Sequence, residues 1–343
     1  MSYQPKNNPP AKADPVLIRA GFVALCGRPN VGKSTLLNHV LGQHLSIVSP
    51  KPQTTRNRIL GVCNLPASDV SDGVAAQIAL VDTPGLHLTR VAGRTALNHF
   101  MVQEAHQAMD GVDLDLFVLQ GEFAEVDGPA SLSRADDQLL EAVQASKKPV
   151  VVAVNKIDLV GDKRKLLPLI EQLAQKLPGV PVVPICAKNG DGVTQLVKEV
   201  VARLPLGSPL FPKDVLTDRN ERFLVSEFVR EQVFLATQKE VPYSVAVTVD
   251  NWQDHVAERG PKKGQRLSVR VDATIHVEKL GQKRILVGEK GALVRQVGTL
   301  AREKATELLG CPVHLFLFVR VDESWSQSRM GLRKMGYETE ARR

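Results

Sequence analysis

The stretch Gly27-Arg28-Pro29-Asn30-Val31-Gly32-Lys33-Ser34 lies between an apolar, β-branched run at residues 16–26 and a run of helical periodicity at 33–41. Strand, glycine loop of the form G-x-x-x-x-G-K-[ST], then helix is an arrangement that cradles phosphates. The glycines let consecutive backbone N–H groups turn inward toward phosphate oxygens. The helix start adds partial positive charge, Lys33 reaches the β- and γ-phosphates, and the Ser34 hydroxyl suits Mg²⁺. Outward from this loop the first 204 residues alternate strand and helix. Short β-branched runs at 75–81, 114–119, 150–154 and 182–185 have the composition of strands buried on both faces. Helical patterns fall between and after them at 94–109, 136–146, 163–176 and 193–204. Such alternation predicts a doubly wound α/β domain with its ligand at the carboxyl ends of the strands.

Three further motifs sit at those ends. Asp82-Thr83-Pro84-Gly85 follows the run at 75–81, placing Asp82 to hold Mg²⁺ through water and the Gly85 N–H to sense a γ-phosphate. Asn155-Lys156-Ile157-Asp158 follows the run at 150–154. A carboxylate only accepts hydrogen bonds, so Asp158 matches guanine's adjacent N1–H and N2–H₂ donors. Adenine lacks that pair and would leave the carboxylate unmatched, which discriminates strongly. Cys186-Ala187-Lys188 comes after the next strand, where a backbone N–H could meet guanine O6. In this order, with Thr35 completing the phosphate loop, the motifs describe a guanine-nucleotide site using GTP or GDP and Mg²⁺.

The chain has 343 residues, 43% hydrophobic, with a net charge of +7. That length suggests roughly two to three domains of ~100–200 residues each, and the apolar content excludes a wholly disordered chain. No apolar run approaches the ~18–20 residues of a membrane helix. Residues 1–14 are polar and proline-rich without an apolar core, which predicts a disordered arm over 1–15 rather than a signal peptide. The four cysteines form no C-x-x-C pair and fit buried thiols in a reducing compartment. The segment at 204–212, with three prolines and a glycine, marks a linker. The expected organisation is an arm, an α/β domain at 16–204, a linker at 205–216 and a second domain at 217–343. Two loops, at 64–73 and 121–134, look long.

The second domain is basic. Residues 259–304 carry 12 Lys/Arg against 4 Asp/Glu, which favours a polyanionic partner. Its pattern is a helix over 218–239, strands over 243–252 and 265–278, an apolar stretch Ile285-Leu286-Val287, a loop Gly288-Glu289-Lys290-Gly291, a helix to 309 with Leu293, Val297, Leu300 and Leu308 on one side, and a strand over 312–321. The order α-β-β-α-α-β around G-x-x-G is that of an α+β type II KH module, whose loop clamps about four nucleotides. Aromatic residues are only 4% of the chain, which disfavours the stacking platforms of other RNA-binding folds.

The order GRPNVGKS, DTPG, NKID, CAK resembles that of the translation-factor-related GTPases. Together with GQKRILVGEKGALVRQVG, CPVHLFLFVRV and LRKMGY it is similar to the Era-like family within them, over about residues 17–338. The resemblance implies a P-loop GTPase domain followed by a KH domain. It implies binding of the 3′ end of 16S rRNA, a role in assembly of the small (30S) subunit, a monomer, and cytoplasmic location with loose inner-membrane association. It places the switch threonine in Gln53-Thr54-Thr55-Arg56, where the T-R pairing favours Thr55 over Thr54 as the Mg²⁺ ligand. Lys33, Thr55, Asp82 and Gly85 then carry catalysis. Gly288, Lys290 and Gly291 hold the RNA backbone, and Ile285 and Val287 line the base groove. Asn30 matches an asparagine that binds K⁺ in cation-dependent relatives. Leu86 stands where many small GTPases carry the glutamine that orients water, which implies slow intrinsic turnover needing a partner or cation. Cys186 replaces the family's usual serine, with little expected effect.

Overall fold

The computed structural model describes residues 17–85, 95–120, 140–141 and 143–337. The expected arm, the loop at 121–134 and Leu86 lie outside these residues. The first domain comprises β1 (Ile18–Cys26), α1 (Lys33–Leu41), β2 (Ile59–Leu65), β3 (Ala76–Asp82), α2 (Ala96–Met109), β4 (Leu114–Gln120), β5 (Val150–Asn155), α3 (Leu167–Lys176), β6 (Val182–Pro184), α4 (Val193–Val201) and β7 (Leu206–Gly207). The sheet runs β2-β3-β1-β4-β5-β6 and is parallel from β3 to β6. β3, β4 and β5 are buried almost throughout, as strands covered on both faces must be. One core packs α1 and α4 on one face; the other packs α3 on the opposite face. Of the helix expected at 136–146, the described part is helical to residue 145.

Two strands were not expected. β2 pairs antiparallel with β3 along its whole length, so the expected loop at 64–73 begins inside a strand and then holds a short 3₁₀ turn, Ala67–Asp69. β7 lies inside the expected linker and pairs antiparallel with β1 at Ile18 and Arg19, below the point where β4 joins at Val23. The linker is therefore docked. Buried Gln77 accepts from the Leu210 and Phe211 N–H groups at 2.7 and 2.9 Å and donates to Phe211 O at 2.9 Å. Phe211 meets Phe22 edge-on, and the Val62 N–H reaches Leu216 O.

The second domain comprises α5 (Glu221–Ala236), capped by the Asn220 side chain, then β8 (Ala246–Val256), β9 (Arg266–Val277), α6 (Leu280–Val287), α7 (Ala292–Leu309), β10 (Val313–Val321) and α8 (Arg329–Lys334). Its sheet runs β10-β9-β8, with β9 and β10 parallel and β8 and β9 antiparallel. That is the expected α-β-β-α-α-β order. α5, α6 and α7 share a core with the sheet. The buried stripe of α7 is Val297, Ala301 and Ala305, whereas Leu300, expected inward, is exposed. Small residues let this helix approach the sheet closely; Gly298 faces Leu317 with little room for a side chain. After β10 the chain returns to the first domain. Trp325, Leu332, Met335 and Tyr337 pack on Leu97, Phe100 and Met101 of α2.

Gln77→Ala should leave two linker N–H groups without their acceptor and cost about 2–3 kcal/mol. A lowered unfolding midpoint of the first domain in urea checks this.

Candidate nucleotide site and nucleic-acid interface

The phosphate loop is built at the end of β1. Gly32 caps α1 at φ 104° with no side-chain hydrogen bond, and no acid occupies the first turn, so the helix start is left for an anion. A side chain at Gly32 would overlap the Asn155 amide. Lys33 is buried, and its Nζ donates to the Gly27 and Arg28 carbonyls at 3.0 Å each. Asn30 Nδ2 donates to Pro50 O at 2.8 Å, tying this loop to the switch segment. A cavity of about 290 Å³ opens between Gly32, Lys33, Ser34, Thr55, Gly85 and Lys156.

Asp82 ends β3 beneath this cavity, fully buried. Its Oδ2 accepts from Ser34 Oγ at 2.6 Å, Ser46 Oγ at 2.7 Å and Thr55 Oγ1 at 3.4 Å, and Ser34 Oγ lies 2.9 Å from Thr55 Oγ1. Thr54 turns elsewhere, to Ser49 and the Lys51 carbonyl. The geometry therefore brings Thr55, Ser34 and Asp82 together. Burial pushes the Lys33 ammonium down and the Asp82 carboxyl up, each only partly relieved by the other. Asp82 Oδ1 is buried without a hydrogen-bond partner. A lysine short of anions beside a carboxylate short of cations is what a metal–phosphate ligand corrects. Two hydroxyls and one carboxylate fit Mg²⁺, which takes few protein ligands and completes its shell with phosphates and water. Among the described residues no group of three or more His, Cys, Asp or Glu forms a separate metal site.

The base side is assembled by Asn155. Its Nδ2 donates to Val31 O at 2.7 Å and its Oδ1 accepts from the Ala187 N–H at 2.9 Å, so one amide joins the phosphate loop to the loop after β6. Lys156 adopts φ 66°, which turns the chain into the 3₁₀ turn that carries Asp158. Cys186 stands in place of the family's usual serine, and its thiol donates to Asp158 Oδ1 at 3.1 Å, holding the carboxylate assigned to guanine. Lys188 lies at the adjoining crevice toward α7.

In the second domain α6 ends at Gly288, and the clamp runs through Gly288, Lys290 and Gly291 at φ 71°, 48° and 80°. Ile285 is 55% exposed and Val287 partly so, while Leu286 between them is buried. An apolar side chain thus stands beside a backbone bent toward solvent, with Arg284, Lys290 and Arg295 exposed around it. Of the basic residues in 259–304, Arg266, Arg270 and Lys304 are engaged by carboxylates of the protein itself.

The residues that composition and motifs missed join the two domains. Arg56, next to Thr55, is fully buried. Its Nη1 donates to Val245 O at 2.6 Å and Tyr337 Oη at 3.1 Å, and its Nη2 to Tyr243 O at 2.9 Å and Pro242 O at 3.2 Å. The guanidinium lies 5.6 Å from the Phe234 ring and 5.9 Å from that of Trp325. Arg230, in a buried pair with Glu227, donates to Thr54 O at 2.7 Å. Lys51 Nζ donates to the Phe234 and Thr237 carbonyls. Buried Glu231 accepts from the Val48 N–H at 2.9 Å and lies within 3.1 Å of His44 and 2.5 Å of Lys304. Burial opposes its charge, but those partners outweigh burial and hold the carboxyl below the usual range. The only signal for these contacts was a buried-type pattern on α5 carrying Arg230 and Glu231.

Residues 22–156 match the model of a 50S ribosome-binding GTPase family, and residues 240–326 match that of the KH domain. GTPase Era of Geobacter sp. (strain M21) is 43% identical over 320 residues, covering 93% of this chain and 98% of that protein. GTPase Era of Pasteurella multocida (strain Pm70) is 39% identical over 328 residues, with coverage of 96% and 98%. Two crystal structures superpose with TM-score 0.81 at 36% identity, each covering 93% of this chain and 99% of the other. One is an Aquifex aeolicus Era variant bound to GDP·AlF4⁻. The other is Era in complex with MgGDPNP and nucleotides 1506–1542 of 16S ribosomal RNA.

Cys186→Ala removes a donor to Asp158 and should weaken GDP binding by about fivefold, near 1 kcal/mol. Cys186→Ser supplies a stronger donor and should bind at least as well as the parent. Displacement of a fluorescent GDP measures both.

Proposed function

Because the chain belongs to the Era family of GTPases and hydrolyses GTP to GDP and phosphate, we propose that it is an RNA-binding switch acting on the 3′ end of 16S rRNA in assembly of the 30S subunit. The observation that carries this is the direct contact of the switch segment at Lys51, Thr54 and Arg56 with the KH domain. A relative's complex with nucleotides 1506–1542 of 16S rRNA supports the choice of RNA.

In the GTP state the loop amides and Lys33 bind the phosphates, Ser34 and Thr55 ligate Mg²⁺, and Asp82 holds it through water. The metal supplies charge neutralisation between the β- and γ-phosphates. The Gly85 N–H faces the γ-phosphate; Gly85 packs so closely on Pro29 that a Cβ would lie 2.6 Å from its nitrogen. Asp158, held by Cys186, selects guanine. The clamp at Gly288–Gly291 grips the RNA backbone through Lys290, and Ile285 and Val287 receive bases. Intrinsic turnover is slow and rises with RNA. K⁺ binds beside the phosphates through Asn30 Oδ1, since Asn30 already bridges the phosphate loop and the switch segment at Pro50.

The protein acts as a cytoplasmic monomer with peripheral inner-membrane association. Exposed Arg259, Lys262 and Lys263 at the β8–β9 hairpin support a headgroup contact. Among the described residues no helix is long and apolar enough to cross a membrane.

GTP turnover measured with and without an oligonucleotide of the 16S 3′ end should rise with RNA, and Lys33→Ala should abolish nucleotide binding. Equal RNA affinity in GDP and in a GTP analogue would refute the switch. Turnover should be faster in KCl than in NaCl; identical rates would remove K⁺ from the site.

A further inference from the structure

We propose that Arg56 is a positioning residue for GTP hydrolysis: the second domain, by caging its guanidinium, holds the adjacent Thr55 at the metal position and so acts as a built-in activator of the first. This rests on Thr55 being the Mg²⁺ ligand. The cage is costly. Arg56 is fully buried, yet its four hydrogen-bond acceptors are three backbone carbonyls and a phenol, with no carboxylate among them. Burial lowers its basicity, Tyr337 opposes that, and nearby Arg230 adds to it. Glu227, whose charge favours that of Arg56, is committed to Arg230. Nε has no partner at all. An exposed arginine would avoid this cost, so burial here is informative about where the segment must sit.

The cage also reaches α2 of the first domain. Tyr337, which accepts from Arg56, stacks parallel to Trp325 at 5.8 Å and meets Phe100 of α2 edge-on at 5.6 Å. One ring therefore touches both the residue after Thr55 and α2. On the other side, Arg230 pins the Thr54 carbonyl. Thr55 is therefore held through the residue before it and the residue after it, both by the second domain, and its hydroxyl lies 2.9 Å from Ser34 Oγ. A segment fixed at both neighbours of Thr55 lowers the ordering cost of binding GTP and Mg²⁺.

The test uses the full-length chain with Arg56→Ala, Arg56→Lys and Tyr337→Phe. GDP does not need Thr55, so its affinity should stay within about twofold in Arg56→Ala, while kcat falls roughly tenfold to hundredfold and the Mg²⁺ concentration for half-maximal turnover rises. Arg56→Lys should resemble Arg56→Ala, because an ammonium cannot reproduce the planar fork. Tyr337→Phe, which removes one acceptor and keeps the packing, should lose activity less. Hydrogen exchange in EDTA without nucleotide gives a readout independent of turnover: amides of residues 54–56 should be protected in the parent and lose protection in Arg56→Ala. Wild-type kcat and Mg²⁺ requirement in both Arg56→Ala and Tyr337→Phe overturn the proposal, as does an equal loss of GDP and GTP-analogue affinity. Should Arg56→Ala not fold, Tyr337→Phe decides alone by the same two readouts. A Thr55→Ala control with parental turnover would instead remove the metal-ligand assignment. RNA affinity of the parent chain is independent of all these outcomes.

Discussion

A guanidinium buried between two domains, held by carbonyls and a phenol rather than by a carboxylate, is the contact on which the rest of this molecule depends. Arg56 links residues 242–245 before β8, the C-terminal Tyr337 and the loop that contains Thr55. Its position determines the others. With Arg56 in place, the Cα of Thr55 is confined to about 3.8 Å from it, and the Thr55 hydroxyl lies 2.9 Å from Ser34 Oγ. The same anchorage keeps α5 against the segment 44–54, where Arg230, Glu231 and the carbonyls after Phe234 take up its polar groups. Without these bonds Arg230 would keep Glu227 and Glu231 would keep Lys304, but the Arg56 guanidinium would be buried with no acceptor, an expense of several kcal/mol.

The site itself was largely legible in the order of its motifs. Phosphate loop, DTPG, NKID and CAK each fall at the carboxyl end of a parallel strand, as a doubly wound sheet requires. Residues at 33–41 formed the expected helix with the expected limits because Gly32 and Gly42 bracket it, both left-handed. β7 was invisible because two residues between prolines carry no periodicity; only the open stretch of β1 below Val23 gives them a partner. β2 was missed for a related reason, since its pairing with β3 covers only an edge of the sheet. Leu300 faces outward although the leucine pattern turns it inward, because close helix-to-sheet packing favours Ala301 and Ala305.

What no motif could reveal is the partnership of Arg56. Its acceptors are mostly backbone carbonyls nearly two hundred residues away, and a carbonyl has no sequence signature. The Cys186 thiol that holds Asp158 carries no motif signature of its own either. The basic character of the second domain also becomes narrower in space. Arg266, Arg270 and Lys304 serve the protein's own carboxylates, which leaves the exposed charge at the β8–β9 hairpin and around the clamp at 284–295.

A nucleotide moves a conformational equilibrium only by binding its two states unequally. In the proposed switch the unequal contact is confined to a few atoms, the Thr55 hydroxyl and the Gly85 N–H, which are assigned to the γ-phosphate state. Thr55 lies one residue from an interdomain contact, beside Arg56. A loss of γ-phosphate contact at Thr55 therefore cannot be absorbed within the first domain; the neighbouring guanidinium must either stay caged, holding the loop closed against no ligand, or leave its four acceptors. The coupling is set by that choice, and its upper limit is the free energy of the cage. Linkage makes the relation reciprocal: any RNA that shifts residues 242–245 or the Tyr337 segment alters the same cage and, through it, the position of Thr55.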